Sequence, residues 1–80
     1  MRSAVAKGII WLDGVEPNWR GRIDWQRLDM GHVDNSILGQ LNRWSFFNNR
    51  FSNEHGFDLI GATPPDYVLL TETWRVMANS

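Results

Sequence analysis

The chain contains no cysteine, which excludes disulfide bonds and metal sites built on thiolates. A domain of 80 residues buries a smaller fraction of its surface than a large domain does, and it normally gains stability from a disulfide, a metal or a partner chain. Since the first of these is excluded, the sequence predicts either a core rich in aromatic side chains or self-association.

The sequence also lacks a long apolar segment. Near the N-terminus, Lys7 and Asp13 enclose only a short apolar run, which fits neither a signal peptide nor a membrane span. We therefore expect a cytoplasmic protein that does not contact a membrane.

Runs of one charge are absent as well. Eight basic residues are balanced by nine acidic ones, so no basic stripe can follow a phosphate backbone, and nucleic-acid binding is disfavoured. Lys7 is the single lysine beside seven arginines. This skew is typical of a GC-rich genome, and it also supplies planar donors for bidentate contacts.

Tryptophan, by contrast, is abundant, and each indole brings a large apolar surface that favours burial. The five tryptophans are Trp11, Trp19, Trp25, Trp44 and Trp74. They occur in every part of the chain, so we predict a single compact all-α domain over residues 1–80. It would have three principal helices, one additional short helix after a turn rich in proline and glycine, and one core built on the indoles.

The first predicted helix runs from Ser3, as its N-cap, to Asp13. Gly14 and Pro17 would end it. Its apolar stripe comprises Val5, Ile9 and Leu12. Residues 16–32 are rich in turn formers, and residues 23–30 within them predict the short helix, capped by Asp24. The side chains expected to turn inward there are Trp25, Leu28 and Met30.

The second long helix is predicted to begin after an N-cap at Asp34, Asn35 or Ser36 and to end at Gly56. Its apolar sector comprises Ile37, Leu41, Trp44, Phe47 and Phe51. Gly39 lies inside this helix, which predicts close packing of another helix against it.

The last helix is predicted to open at Thr63, with Pro64 in its first turn and Asp66 three residues after the cap. Its stripe comprises Tyr67, Leu70, Trp74 and Met77.

Several apolar side chains fall outside these stripes: Ile10, Trp11, Phe46, Leu69 and Val76. In one interpretation the helices pack on more than one face, and scattered exposed apolar residues need no explanation. In the other, the residues form a contiguous patch, which on a small protein marks an interaction site. On the second interpretation the predicted protein-binding residues are Trp11, Phe46, Arg43, Arg50, Leu69 and Val76, since arginine beside aromatic residues is common in interfaces.

No catalytic, cofactor-binding or metal site is predicted. The polar groups considered are His32 with Asp29 and Asp34, His55 with Glu54 and Asp58, the aspartates Asp13, Asp24 and Asp29, and Ser36. The two histidine clusters lack a recognised ligand spacing, the aspartates lie where helix ends and caps favour them, and Ser36 has no triad partners. An alternative is a helix-turn-helix DNA-binding regulator, with its turn at residues 31–34 and Gln40, Asn42 and Arg43 as base readers.

The order of short sequence words along the chain is similar to that of small uncharacterised proteins of actinobacteriophages and related prophages. The words are Trp11-Leu12-Asp13, Pro17-x-Trp19, Ile23-Asp24, Leu28-Asp29-Met30, Ile37-Leu38-Gly39-Gln40-Leu41, Gly56-Phe57 and Leu70-Thr71 with Trp74-Arg75. The resemblance covers nearly the whole chain and implies a phage accessory protein from a GC-rich actinobacterial host. Relatives often carry a cysteine before the Ile37–Leu41 word, where this chain has Asn35 and Ser36, so no thiol function is implied here.

The expected function is therefore a non-enzymatic protein–protein interaction module. Its partner would be a host protein or a second copy of the chain in a homo-oligomer.

Overall fold

The computed structural model describes residues 1–43, 50–59, 61 and 63–79. Within these ranges the chain forms helices and no strand, which confirms the all-α class. The helices are α1 (Arg2–Val15), α2 (Trp19–Arg22), α3 (Ile37–Gln40), α4 (Arg50–Glu54) and α5 (Pro64–Ala78). Two long helices and three short ones thus replace, in the described part of the chain, the predicted three principal helices and one short helix.

The first helix forms as predicted, with different ends. It begins before Ser3, which is therefore not its N-cap, and it continues through Gly14. It ends where the N–H of Glu16 donates to the carbonyl of Leu12 at 2.8 Å, one residue before Pro17, which lacks the N–H needed to extend it. Val5 and Leu12 of the predicted stripe are fully buried and Ile9 is partly buried.

The prediction of a short helix over residues 23–30 is wrong. Helix α2 lies earlier, and residues 23–30 fold into turns. Asp24 does act as a cap-like acceptor, since its Oδ1 accepts the backbone N–H groups of Gln26 and Arg27 at 3.2 and 3.3 Å, but no helix follows. The inward orientation is confirmed: Leu28 and Met30 are buried and Trp25 is partly buried.

The prediction that the second long helix is one continuous element is also wrong. Helix α3 ends at Gln40, and Asn42 then adopts a left-handed φ of 58°, a conformation that asparagine tolerates better than most residues. Residues 44–49, including Trp44, Phe46 and Phe47, lie outside the described residues. Among the three predicted caps the structure selects Ser36, whose Oγ accepts the Gly39 N–H at 3.1 Å.

Two glycines are fixed by close packing or backbone conformation. A Cβ on Gly39 would collide with the carbonyl oxygen of Val33. The close neighbour of Gly39 is therefore the turn before α3, and not another helix as predicted. Gly56 follows α4 with a φ of 71°, as predicted for the residue that ends this helical region.

Helix α5 matches its prediction. Asp66 Oδ2 accepts both the backbone N–H and the hydroxyl of Thr63 at 2.9 Å, and these bonds lower the pKa of the Asp66 carboxyl. Leu70 and Trp74 are fully buried. The other two residues of the stripe, Tyr67 and Met77, are partly buried against the core.

The core is organised as a continuous line of aromatic rings, which we call the aromatic chain. Its members, in spatial order, are Trp25, Trp19, Trp74, Phe57, Trp11, Phe51 and His55, with successive ring centroids 4.0–6.2 Å apart. The aromatic chain joins the turns after α2 to α5, α1 and α4. Helix α1 packs against both α4 and α5. Every segment that carries an indole in the described residues is thereby attached to one core.

Three of the indole N–H groups in the aromatic chain donate hydrogen bonds to acceptors within the protein. Trp74 donates to the carbonyl of Gly56 at 2.7 Å, Trp25 to the carbonyl of Arg20 at 3.2 Å, and Trp19 to Asp13 Oδ1 at 2.9 Å. The bond from Trp19, assisted by Arg20, lowers the pKa of the Asp13 carboxyl. Asp13 therefore joins α1 to α2 and has no sign of the raised pKa that a carboxylic general acid needs.

Helix α1 can approach the aromatic chain closely because Gly8 has no side chain. A Cβ at this position would collide with the carbonyl oxygen of His55 and lie 2.9 Å from the Trp74 ring.

We expect Gly8→Ala to lower the free energy of unfolding by about 1–3 kcal/mol, because overpacking outweighs the gain in helix propensity. Gly14→Ala is the matched control, since nothing lies within 4 Å of its Cβ position. Urea denaturation showing Gly8→Ala as stable as Gly14→Ala would contradict this packing.

Candidate protein-binding surface

The predicted binding residues that the structure describes differ in burial and in their contacts. Trp11 is partly buried, with its ring centroid 4.9 Å from that of Phe51 and 5.9 Å from that of Phe57. Arg43 donates to Glu16 Oε1 at 3.0 Å, and its guanidinium lies 5.6 Å from the Trp11 ring centroid. Trp11 is therefore part of the aromatic chain and not an exposed anchor, because α1 packs on more than one face.

Arg50 and Phe46 are the other predicted binding residues outside α5. The Arg50 side chain is 92% exposed and pairs with Glu54 at 2.8 Å, an arrangement of four-residue spacing that contributes little to stability. Phe46 lies outside the described residues.

Leu69 and Val76 are exposed, as the sequence predicts, at 55% and 61%. They lie on the side of α5 opposite the buried Trp74, one above the other at a spacing of two helical turns. Val68, at 58% exposure, and the exposed Pro64 and Pro65 enlarge this apolar surface. We call Pro64, Pro65, Val68, Leu69 and Val76 the outer face of α5.

Sequence reasoning missed Val68 and both prolines as members of this face. In the sequence the prolines indicate only the start of the helix, and Val68 belongs neither to the predicted stripe of α5 nor to the apolar residues predicted outside it. Plotting α5 as a helical wheel would have placed Pro65, Leu69 and Val76 in one sector, with Val68 at its edge.

The first turns of this face form an open apolar groove. Pro64, Pro65, Val68 and Leu69 line a cavity of about 560 Å³, and none of these side chains carries a charge. A groove of this kind suits an apolar side chain of a partner and offers it no hydrogen bond.

A second cavity, of about 420 Å³, adjoins the groove and shares Pro64 and Val68 with it. We call this cavity the acidic pocket, because its remaining lining residues are Asp29, Gly31 and Tyr67. Asp29 Oδ1 accepts the backbone N–H of Gly31 at 2.9 Å. The pocket therefore places a carboxylate beside an aromatic ring and an apolar wall.

The turn that carries Asp29 is fastened to α5 by hydrogen bonds. Thr71 Oγ1 accepts the buried N–H of Met30 at 2.8 Å and donates to the carbonyl of Tyr67 at 2.8 Å. One turn further along α5, Arg75 donates to the carbonyl of Trp25 at 3.1–3.2 Å and to that of Leu28 at 3.2 Å. The wall of the acidic pocket is thus held in place by α5 itself.

Tyr67 contributes its ring to the pocket while its hydroxyl is engaged elsewhere. The hydroxyl donates to Asp58 Oδ1 at 2.7 Å and lies 3.3 Å from the carbonyl of Leu59. The bond to Asp58, together with partial burial and the charge of Asp58, raises the pKa of Tyr67 to about 12. Tyr67 therefore stays neutral at physiological pH and presents a fixed aromatic surface.

A smaller cavity, of about 220 Å³, lies on the other side of Val68 and is lined in part by Asp29, Glu72 and Arg75. Arg75 directs its Nε and Nη2 at the backbone carbonyls described above. Glu72 is exposed on α5 and has no ion pair among the described residues. Bonds to neutral carbonyls leave Arg75 charged, so this lining holds two negative charges and one positive charge, and its balance is negative.

The polar groups considered for other chemistry have structural roles. His32 Nδ1 accepts the N–H of Asp34 at 3.2 Å, the His55 ring stacks on Phe51 at 4.0 Å, and Ser36 Oγ caps α3. In the described ranges, no group of three histidine and acidic residues is placed to hold a metal ion.

The helical pair that the helix-turn-helix alternative requires is not formed by the described residues. Helix α3 has four residues, three of which are buried. The side chain of Gln40, expected to read bases, instead donates to the carbonyls of Asp24 and Asn35 at 3.2 and 3.0 Å and accepts the Asp24 N–H at 2.6 Å. No observation in this region favours DNA binding.

Comparisons with protein families, curated proteins and solved structures found no match to this chain. Of the helices in the described residues, none has the length and apolar character needed to cross a membrane.

The hydroxyl of Thr71 is predicted to be essential for the wall of the acidic pocket. Thr71→Val keeps the shape of the side chain but leaves the buried N–H of Met30 without its acceptor, so we expect the free energy of unfolding to fall by about 1–3 kcal/mol. Thr73→Val is the control, because the Thr73 hydroxyl donates to the carbonyl of Leu69 on a more exposed side of α5. Equal urea midpoints for the two variants would contradict the role of Thr71.

Tyr67 predicts a specific dependence of stability on alkaline pH. Its folded pKa of about 12 lies above its unfolded value of about 10, so its contribution is complete below pH 10 and is lost as the pH rises through 12. The difference in unfolding free energy between wild type and Tyr67→Phe should therefore shrink over this interval. Denaturation series at several alkaline pH values measure it, and a constant difference would contradict the Tyr67–Asp58 bond.

Proposed function

We propose that the protein is a non-enzymatic protein–protein interaction module and that the outer face of α5 is its docking surface. The observation that carries this proposal is the exposure of Val68, Leu69 and Val76 on one side of a helix whose other side is fixed in the core. Isolated exposed apolar residues are ordinary, but here they adjoin an apolar groove.

The support for docking, as opposed to catalysis, lies in the chemistry of the described polar groups. Asp13, Asp66 and Ser36 are engaged in hydrogen bonds that join or cap helices, and Tyr67 holds its proton with a raised pKa. None of these groups combines an accessible nucleophile with a neighbouring base.

The resemblance to actinobacteriophage and prophage proteins extends the proposal to an origin and a place of action. The protein would be a phage accessory protein that acts in the cytoplasm of an actinobacterial host, and its partner would be a host protein. Self-association through the same face is the other form of an interaction module, and the experiment below distinguishes the two.

The test is an affinity capture from actinobacterial lysate, quantified by mass spectrometry, with three folded baits. They are the wild type, Leu69→Asp/Val76→Asp, and Ile10→Asp. Ile10 is the matched control because it is 71% exposed and lies about 200° around α1 from Gly8, the residue that faces Trp74 of α5. Loss of the outer face should weaken capture at least about tenfold, since buried apolar anchors dominate interface energies.

We expect one host protein to be enriched by the wild type and by Ile10→Asp and to be lost with the α5 double variant. Sedimentation equilibrium of the three purified proteins identifies self-association by a dimer that only the double variant abolishes. Equal capture and equal sedimentation of all three proteins would refute the outer face as the docking surface.

A further inference from the structure

The apolar groove and the acidic pocket lie side by side and share two walls, Pro64 and Val68. A ligand that fills both must combine an apolar group with a group suited to a carboxylate and an aromatic ring. We propose, on the basis of the docking function above, that the outer face of α5 binds a protein segment in which an arginine side chain lies next to an apolar side chain. The arginine enters the acidic pocket and the apolar residue enters the groove.

The preference for a cation follows from the charges available at the pocket. Asp29 is exposed, and the one hydrogen bond that its carboxylate accepts within the described residues comes from the Gly31 N–H. Glu72 adds a second negative charge on the far side of Val68. The nearby cation, Arg75, is held by backbone carbonyls and does not pair with either carboxylate.

The preference for arginine within the cations follows from the rest of the lining. The Tyr67 hydroxyl is bonded to Asp58, so the ring is left as an apolar and π surface beside Asp29. A guanidinium group stacks on aromatic rings and forms bidentate bonds to carboxylates, whereas its aliphatic stem packs on apolar walls such as Val68. An ammonium group is more strongly hydrated and gains less from such a lining.

A second copy of the chain fits this face less well than a basic segment. If two α5 helices packed antiparallel about a two-fold axis between Leu69 and Val76, the axis would pass close to Glu72. The two Glu72 carboxylates would then lie near each other in an interface from which water is excluded, which is unfavourable. Negative charge at the pocket also repels the anionic surface of a membrane.

The test begins with a selection from a library of random 12-residue peptides displayed on phage, using the intact wild-type protein as the target. Arginine adjacent to leucine, phenylalanine or another large apolar residue should be enriched among the selected peptides. Synthetic peptides from this set are then measured against variants by fluorescence anisotropy at low and high salt.

The decisive variant is Asp29→Asn. It retains an oxygen that accepts the Gly31 N–H, so the turn is preserved while the charge is removed. We expect binding about five- to tenfold weaker than to the wild type, and this difference should decrease in 0.5 M salt because the pocket is open to solvent. Asp34→Asn is the matched control, since it removes one exposed negative charge from residues 31–36, outside the pocket.

The outcomes separate this inference from the function on which it rests. Peptides that are lost with Leu69→Asp/Val76→Asp, but show no basic enrichment and bind Asp29→Asn normally, would overturn the arginine pocket and leave the docking surface intact. Failure to select any peptide that depends on Leu69 and Val76 would overturn both. A wild-type homodimer that dissociates in the double variant would identify a second copy as the occupant and overturn the basic segment.

Discussion

The burial of Trp74 is the constraint on which the rest of the structure depends. A fully buried indole must have an acceptor for its N–H, and the carbonyl of Gly56 supplies it at 2.7 Å. This places the turn after α4 against α5, and the left-handed φ of Gly56 allows the backbone to make that turn. The same ring needs Gly8 on α1, contacts Trp19 edge-on and stacks on Phe57. One side chain thus fixes the relative positions of four segments.

The proposed docking surface follows from the same constraint. Because α5 directs Trp74, Leu70 and Thr71 into the core, its opposite side is left to solvent with Leu69 and Val76 exposed. The bonds from Thr71 and Arg75 then hold the 25–30 turn beside this exposed side, which brings the Asp29 carboxylate next to apolar residues. Core and surface are therefore two sides of one helix, and the geometry of the pocket is inherited from the packing of the core.

Sequence patterns predicted the elements whose signals are local. Helix α5 has an unambiguous start at Thr63 and Asp66, and the ends of α1 are correct to within two residues. The prediction of one long helix through residues 37–55 was wrong because an apolar period does not report the backbone angle of a single residue, and the left-handed φ of Asn42 ends the helical conformation after α3. The sequence left two interpretations open for Trp11, and it could not choose between them because it does not show that α4 covers a second side of α1. The acidic pocket could not be predicted, because Asp29 and Tyr67 are brought together by tertiary hydrogen bonds and packing between the turn and α5.

The aromatic chain gives the protein an optical property as well as a mechanical one. The ring centroid of Trp19 lies 6.2 Å from that of Trp25 and 6.0 Å from that of Trp74. The planes of the Trp19 and Trp74 rings are almost perpendicular. At such separations the excited states of indoles are coupled, so excitation absorbed by one ring migrates to its neighbours before emission, and their electronic transitions mix in circular dichroism. Fluorescence and dichroism of these three rings therefore describe a shared chromophore that exists only while α2, the turns after it and α5 are in contact.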